Sequence, residues 1–490
     1  MNSVSDQKLD RMRSTLHWNP FHFSFLFTLI LLSASAEGSS SECESDPEPV
    51  SLELVHRHDP RVPGNENLKL DKYEAMRERA LMDMHRRGLS MVEMPLRTGW
   101  EYMISDYYVQ VRVGTPPQNF WLIADTGSEL TWIRCNDEVT SKNDTRRSAL
   151  RVDGARAFCR KMSTTYKPLT CADSRCKGED LVNAGGESEC AHPTDYCTYS
   201  TTYAHGTMAF GDYGTDVVTL GVKREKMGTI DDMIIGCNHE LNFGTDNEGD
   251  DFSRTDGMMG LGYTPLSFMY RATKQYGNKF SYCLMEHHLL KNSTNFITFG
   301  SYETSQTQKA TLSAPMQRTK LMIQPDGEYG IQVEGISIGG QMLQLPAELW
   351  DFKAGGGMTL DTGTSLTVVG KPAFQKIGQG LLKALAPKYK TIFGSNETGL
   401  RYCFIAEERE GFEKDVPKLG FHFAGGAVFE PPVSNYVLTM KPNVHCLGLL
   451  QTQRGSIETA GVIGNIMQQL HLWEYDLASM TVGFAPSQCT

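Results

Sequence analysis

Leu122-Ile123-Ala124-Asp125-Thr126-Gly127-Ser128-Glu129-Leu130-Thr131 is one of two stretches that decide how this chain folds. The other is Met358-Thr359-Leu360-Asp361-Thr362-Gly363-Thr364-Ser365-Leu366-Thr367, which echoes it. In each, apolar residues run into Asp-Thr-Gly, and a hydroxyl side chain follows. The apolar run anchors a strand in a core, and the glycine lets the chain reverse where a side chain would collide. Further on, each copy is followed by two apolar residues and a glycine: Met258-Met259-Gly260 and Val462-Ile463-Gly464. A doubled motif of this kind predicts two duplicated lobes. One Asp-Thr-Gly alone would be an ordinary turn. Two, related by a pseudo-twofold axis, place Asp125 and Asp361 side by side.

Two carboxyls at close range cannot both ionise comfortably, so they share one proton and titrate as a pair. Such a pair is a general base and a general acid in one site. The ionised partner takes a proton from a water, the water attacks a peptide carbonyl, and the protonated partner stabilises the developing oxyanion and later helps the amine leave. Thr126, Gly127, Ser128, Thr362, Gly363 and Thr364 are the expected supports of the pair. The chemistry calls for no metal and no cofactor. Its partners would be peptides or proteins, met by a monomer.

The remainder of the sequence fits a large β protein. Its 490 residues exceed one compact core. Its 46 glycines, with short runs of Val, Ile, Thr, Tyr and Phe, indicate an all-β chain with many turns. The net charge of −11 and the lack of a long basic run exclude a nucleic-acid partner.

The N-terminus reads as a leader. Lys8, Arg11 and Arg13 precede the apolar run Phe23–Leu32, and Ala34-Ser35-Ala36 has the small-x-small cleavage pattern. Residues 1–36 are therefore taken as a signal peptide, with an uncleaved signal anchor as the alternative. No later apolar run is long enough to span a bilayer, so no stable membrane insertion is expected after cleavage. Ser51–His58 alternates like a short strand, and Leu68–Leu89 reads as an amphipathic helix ending in Arg77, Arg79, His85, Arg86 and Arg87. Residues 37–97 thus form either a removable prosegment or a permanent extension. Asn143, Asn292 and Asn396 are glycosylation sequons.

From Tyr102 to the C-terminus the sequence resembles the pepsin family of aspartic proteases. Tyr108–Gln118 looks like that family's entry strand and turn, and Asp125 and Asp361 match its catalytic pair. The resemblance implies a bilobal pepsin-like fold of two β-barrel-like lobes around a cleft: residues 98–305, with a cysteine-rich insert at 135–197 and a flap at 199–213, and residues 306–490. It makes Ser128 and Thr364 hydrogen-bonding partners of the carboxylates, and Tyr203 the flap tyrosine, supported by Trp132. Gly206 and Thr207 match the flap tip, where Ala204 stands in place of a common glycine and His205 adds a titratable ring. Cys171-x4-Cys176, Cys190-x6-Cys197 and Leu54-Val55-His56-Arg57 resemble plant nepenthesin-like members.

The 12 cysteines favour disulfides over zinc, because the spacings are not Cys-x2-Cys and the chain reads as secreted. Loss of Cys43 with a prosegment leaves an odd number, hence one free thiol unless Cys43 takes part in a link. The family resemblance implies a zymogen, with the basic cluster Arg77–Arg87 lying over the acidic cleft. Extracellular space is the expected location, with a vacuole or plastid as alternatives. A non-catalytic binding protein on the same scaffold is the competing functional class.

Overall fold

The computed structural model describes residues 50–56, 106–135, 156–177, 190–203, 206–220, 228–242, 255–286, 295–300, 312–354, 356–394, 400–452 and 461–489. The signal peptide, the helix expected at 68–89, the flap tip residues Ala204 and His205, and the sequons Asn143, Asn292 and Asn396 lie outside them.

The fold is mainly β, as expected. The catalytic strand Gln118–Asp125 runs antiparallel to Tyr107–Val113, with Val109 opposite Leu122 and Val111 opposite Phe120. Phe120, Leu122, Ile123 and Ala124 are all buried, so both faces of this strand are covered. That explains a continuous apolar run where a half-exposed strand would alternate. Strand Trp132–Arg134 returns beyond the Asp-Thr-Gly loop, and Gly257–Gly260 threads between the two. It is parallel to the catalytic strand, with Asp125 opposite Gly260, and antiparallel to the return strand, with Trp132 opposite Met258.

The second half repeats this arrangement. Met358–Leu360 leads into Asp361, Thr367–Val369 returns, and Gly461–Ile463 threads between them, parallel to the first and antiparallel to the second. The paired apolar-apolar-Gly segments now have a physical reason. A methyl at Gly260 would lie 2.6 Å from Glu129 O, and one at Gly464 would lie 2.6 Å from Ser365 O. Each glycine is the point where the threaded strand passes under its catalytic loop.

A shared antiparallel sheet joins the halves. Its order is Val50–His56, Asn295–Phe299, Lys279–Cys283, His471–Asp476, Thr481–Pro486 and Gln317–Ile323. The short strand read from Ser51–His58 is therefore present as Val50–His56, and it also pairs with Tyr107–Val113. The C-terminal strands pair with the first half, and the Cys283–Cys489 disulfide fastens the chain end there. Four more disulfides link Cys135–Cys237, Cys171–Cys190, Cys176–Cys197 and Cys403–Cys446, and Cys159 is the free cysteine among the described residues. Among the described residues no helix is long and apolar enough to cross a membrane.

Candidate active site

The two loops meet tip to tip. Thr126 Oγ1 donates to Leu360 O at 3.1 Å, and Thr362 Oγ1 donates to Ala124 O at 2.8 Å. Each hydroxyl also accepts the other threonine's backbone N–H, Thr126 N at 3.1 Å from Thr362 Oγ1 and Thr362 N at 2.9 Å from Thr126 Oγ1. Both threonines are buried. Four hydrogen bonds in a dry setting fix one loop against the other, since breaking any of them strands a buried polar group.

This lock brings the carboxyls together. A methyl at Gly127 would lie 2.6 Å from Asp361 Cγ, and one at Gly363 would collide with the Asp125 carboxylate. Only glycine admits the opposing carboxyl on each side. Gly127 N donates to Asp125 Oδ1 at 2.8 Å, and Gly363 N donates to Asp361 Oδ1 at 2.7 Å. Thr364 Oγ1 donates to Asp361 Oδ2 at 2.5 Å, as the sequence suggested. Ser128 is less symmetric: its Oγ lies 3.1 Å from Met258 Sδ, and it also helps stabilise ionised Asp125.

Burial pushes the Asp125 carboxyl well above the usual range, and the charge of Asp361 pushes it further; Ser128 and the Gly127 N–H pull the other way. The pair therefore holds a proton to higher pH than an isolated carboxyl, the condition for a general acid and a general base in one site. A polar support that the sequence did not reveal lies beneath. Gln468 Nε2 donates to Asp361 O at 3.2 Å and to Ile463 O at 2.6 Å, and Tyr282, bonded to Tyr475 at 2.8 Å, donates to the Gln468 amide oxygen.

The flap is the hairpin of Thr198–Thr202 and Met208–Leu220. Tyr203 N donates to Thr207 O at 2.9 Å and Gly206 N to Tyr203 O at 2.8 Å, with Gly206 at φ 90°. Trp132 Nε1 donates to Tyr203 Oη at 2.5 Å, so the tryptophan and tyrosine matched from sequence do meet. Burial raises the Tyr203 phenol, the Trp132 N–H pulls it back, and the charge of Asp125 adds a further push.

The cysteine-rich insert braces the flap. Arg160 Nη1 binds Asp212 Oδ2 at 2.6 Å, Ser163 Oγ donates to Asp216 Oδ2 at 2.7 Å, and Lys167 pairs with Thr215. Both aspartates lie on the flap's return strand and are buried. Glu129, next after Ser128, was also passed over in the sequence. Burial pushes its carboxyl up to about 7, its own backbone N–H offsets part of this, and Asp326 adds a smaller push.

Residues 107–301 match the family described as xylanase inhibitor N-terminal, and residues 328–486 match the family described as xylanase inhibitor C-terminal. Aspartyl protease family protein 2 of Arabidopsis thaliana is 30% identical over 398 residues, spanning 78% of this chain and 71% of its own. Aspartic proteinase nepenthesin-1 of Nepenthes gracilis is 26% identical over 460 residues, spanning 89% of this chain and 93% of its own. Among solved structures, conglutin gamma, a basic 7S globulin from lupine seeds, matches with a TM-score of 0.62 and 16% identity, over 90% of this chain and 96% of its own. That last likeness is one of fold. A two-lobed β fold with paired Asp-Thr-Gly loops defines the pepsin-like class. The chain belongs to the pepsin-like plant aspartic protease family, and it is an aspartic endopeptidase.

Proposed function

We propose that Asp125 and Asp361 are the catalytic pair, and that they activate a water to cut within extended peptides. The observation that carries this reading is the approach of each carboxyl to the opposite loop's glycine, reinforced by the reciprocal threonines. The ionised member takes the proton of the bound water. The protonated member donates to the peptide oxygen and then assists the departing amine. Tyr203, held by Trp132, closes the site and excludes water. The enzyme is proposed to act as a monomer, at acidic pH, where the pair carries its single proton.

Secretion is supported by the N-terminal leader and by the five disulfides, which suit an oxidising compartment. Residues 37–97 serve as a prosegment, with Arg77–Arg87 opposing the acidic cleft until low pH neutralises it. Asn143, Asn292 and Asn396 carry glycans in this reading. In this reading the lobes divide near residue 305, between the strands Asn295–Phe299 and Gln317–Ile323.

A second reading, a binding protein for another enzyme, draws on the names of the two matched families. The complete dyad and its flap tyrosine weigh against it. The deciding experiment incubates the purified full-length chain with a denatured protein from pH 2 to 7, with and without a statine-type transition-state analogue, beside Asp125→Asn. Inhibitable cleavage at acid pH, reduced at least about 1000-fold in the variant, is expected. Cleavage at no pH, or full cleavage by the variant, would sink the proposal.

A further inference from the structure

Three tyrosines lie behind the paired loops. Tyr282 comes from Lys279–Cys283, Tyr475 from His471–Asp476 and Tyr329 from Tyr329–Ile331, and none is more than 1% exposed. They pack as one block: the Tyr475 ring stacks on Phe280 at 4.3 Å and meets the Tyr329 ring edge-on at 4.9 Å. Phenol hydroxyls buried this deeply need partners. Tyr282 donates to the Gln468 amide oxygen, which leaves Tyr475 as the donor across the 2.8 Å to Tyr282. Tyr329 Oη donates to Leu261 O at 2.6 Å.

Each receiving residue continues to one aspartate. Gln468 Nε2 donates to Asp361 O at 3.2 Å and to Ile463 O at 2.6 Å, so both ends of the amide are engaged. Leu261 N donates to Asp125 O at 2.7 Å. The two relays cross. Tyr282, from the first half of the chain, reaches the second loop, and Tyr329, from the second half, reaches the first. They differ in one respect: main-chain groups serve Asp125, whereas Asp361 depends on a side-chain amide that a substitution can remove. Gln468 is fully buried, and Trp473 Nε1 donates to its carbonyl at 3.0 Å, so the shared sheet also holds its backbone.

We propose that Gln468, Tyr282 and Tyr329 are positioning residues for the two carboxyls, each tyrosine fixing the aspartate of the opposite half. The reciprocal threonines set one loop against the other, and the relays set both loops against the tyrosine block. The inference rests on the reading of Asp125 and Asp361 as the catalytic pair.

Loss of a relay lets one carboxyl drift from the other. Water activation then slows while the flap that covers the peptide is untouched, so the loss falls on kcat rather than on KM. The charge of Asp361 is one of the influences that raise Asp125. A wider separation weakens that influence, and the two limbs of the bell-shaped pH–rate profile move toward each other. A residue needed only for folding would change the amount of active enzyme and leave the limbs in place.

The test measures kcat, KM and the pH–rate profile on an acid-cleaved peptide, beside urea midpoints, for the full-length chain, Gln468→Met, Tyr282→Phe and Tyr329→Phe. Gln468→Met is expected to lower kcat at least about tenfold with KM within about twofold, and to narrow the profile by about half a pH unit or more. Tyr282→Phe and Tyr329→Phe, which delete one hydroxyl each, should act the same way by less and carry the test if Gln468→Met does not fold. Gln468→Met with Tyr282→Phe should be little worse than Gln468→Met alone, because both lie on one relay. Variants that lose stability but keep the parent's kcat and limb positions would overturn the proposal, and so would losses confined to KM. A parent that cuts nothing would instead remove the endopeptidase reading, and the positioning role with it.

Discussion

Thr126 and Thr362 hold each other's loops: each hydroxyl donates to the carbonyl preceding the opposite aspartate and accepts the opposite threonine's N–H. Thr126→Ala removes two of these bonds and leaves Thr362 N buried without its acceptor. A loss of about 3 kcal/mol in folding stability is expected, with a lower kcat, because the carboxyls lose their shared frame. Thr126→Ser keeps the hydroxyl and should restore most of both. Urea denaturation beside steady-state kinetics checks this; an alanine variant as stable and active as its parent contradicts it.

Gly127 and Gly363 make a sterically opposite test. Gly127→Ala sets a methyl 2.6 Å from Asp361 Cγ, closer than real contacts allow. The loop must retreat and the carboxyls must separate. Activity should fall by at least about 100-fold, in keeping with the cost of misplacing reacting groups by about 1 Å. Circular dichroism should show the fold retained. The same substitution at Gly206 meets nothing within 4 Å. Its cost comes only from φ 90°, so its effect on turnover should be far smaller.

Tyr203→Phe removes the acceptor of the Trp132 indole N–H. Trp132 is fully buried, so the stranded donor should cost about 1 to 3 kcal/mol. In kinetics, the loss should appear in kcat/KM at roughly tenfold, as the flap loses one anchor of its closed position. Trp132→Phe should resemble it, and the double variant should be little worse than either single one, because both act on one bond. Additive losses would show that the two residues work separately.

The dyad was legible in sequence because its determinants are local. Apolar residues before Asp125 and Asp361, glycines after them and hydroxyls behind are all set within a few positions of each carboxyl. The threaded glycines Gly260 and Gly464 could be noticed from sequence, although their reason, passage beneath Glu129 and Ser365, required the fold. What stayed hidden depends on distant segments. Cystine pairing cannot be read from spacing, so Cys159 as the free thiol, and the link of Cys283 to Cys489 across 206 residues, emerged only in three dimensions. The same holds for Arg160 on Asp212, which makes the insert a brace for the flap. It holds also for Glu129, whose raised carboxyl is set chiefly by its burial in the fold.

His471 predicts a cost at the acid end. It is buried on the shared sheet, with its ring edge-on to Phe429 at 5.0 Å and Nδ1 at 3.2 Å from Gln469 O. Burial carries its pKa down from 6.5 to about 4. The unfolded chain therefore binds a proton before the folded one does. The stability this neutral imidazole contributes is present in full above pH 6.5, declines as pH falls, and is gone at about pH 4. The decline amounts to roughly 3 kcal/mol. His471→Gln should weaken the protein at pH 7 through lost packing on Phe429, and its disadvantage should shrink or reverse at pH 4. Urea midpoints at the two pH values decide the matter, and a difference between variant and parent that stays constant would show that the ring does not titrate with folding. For an enzyme proposed to work in acid, this residue would set a lower boundary on stability that lies outside the dyad altogether.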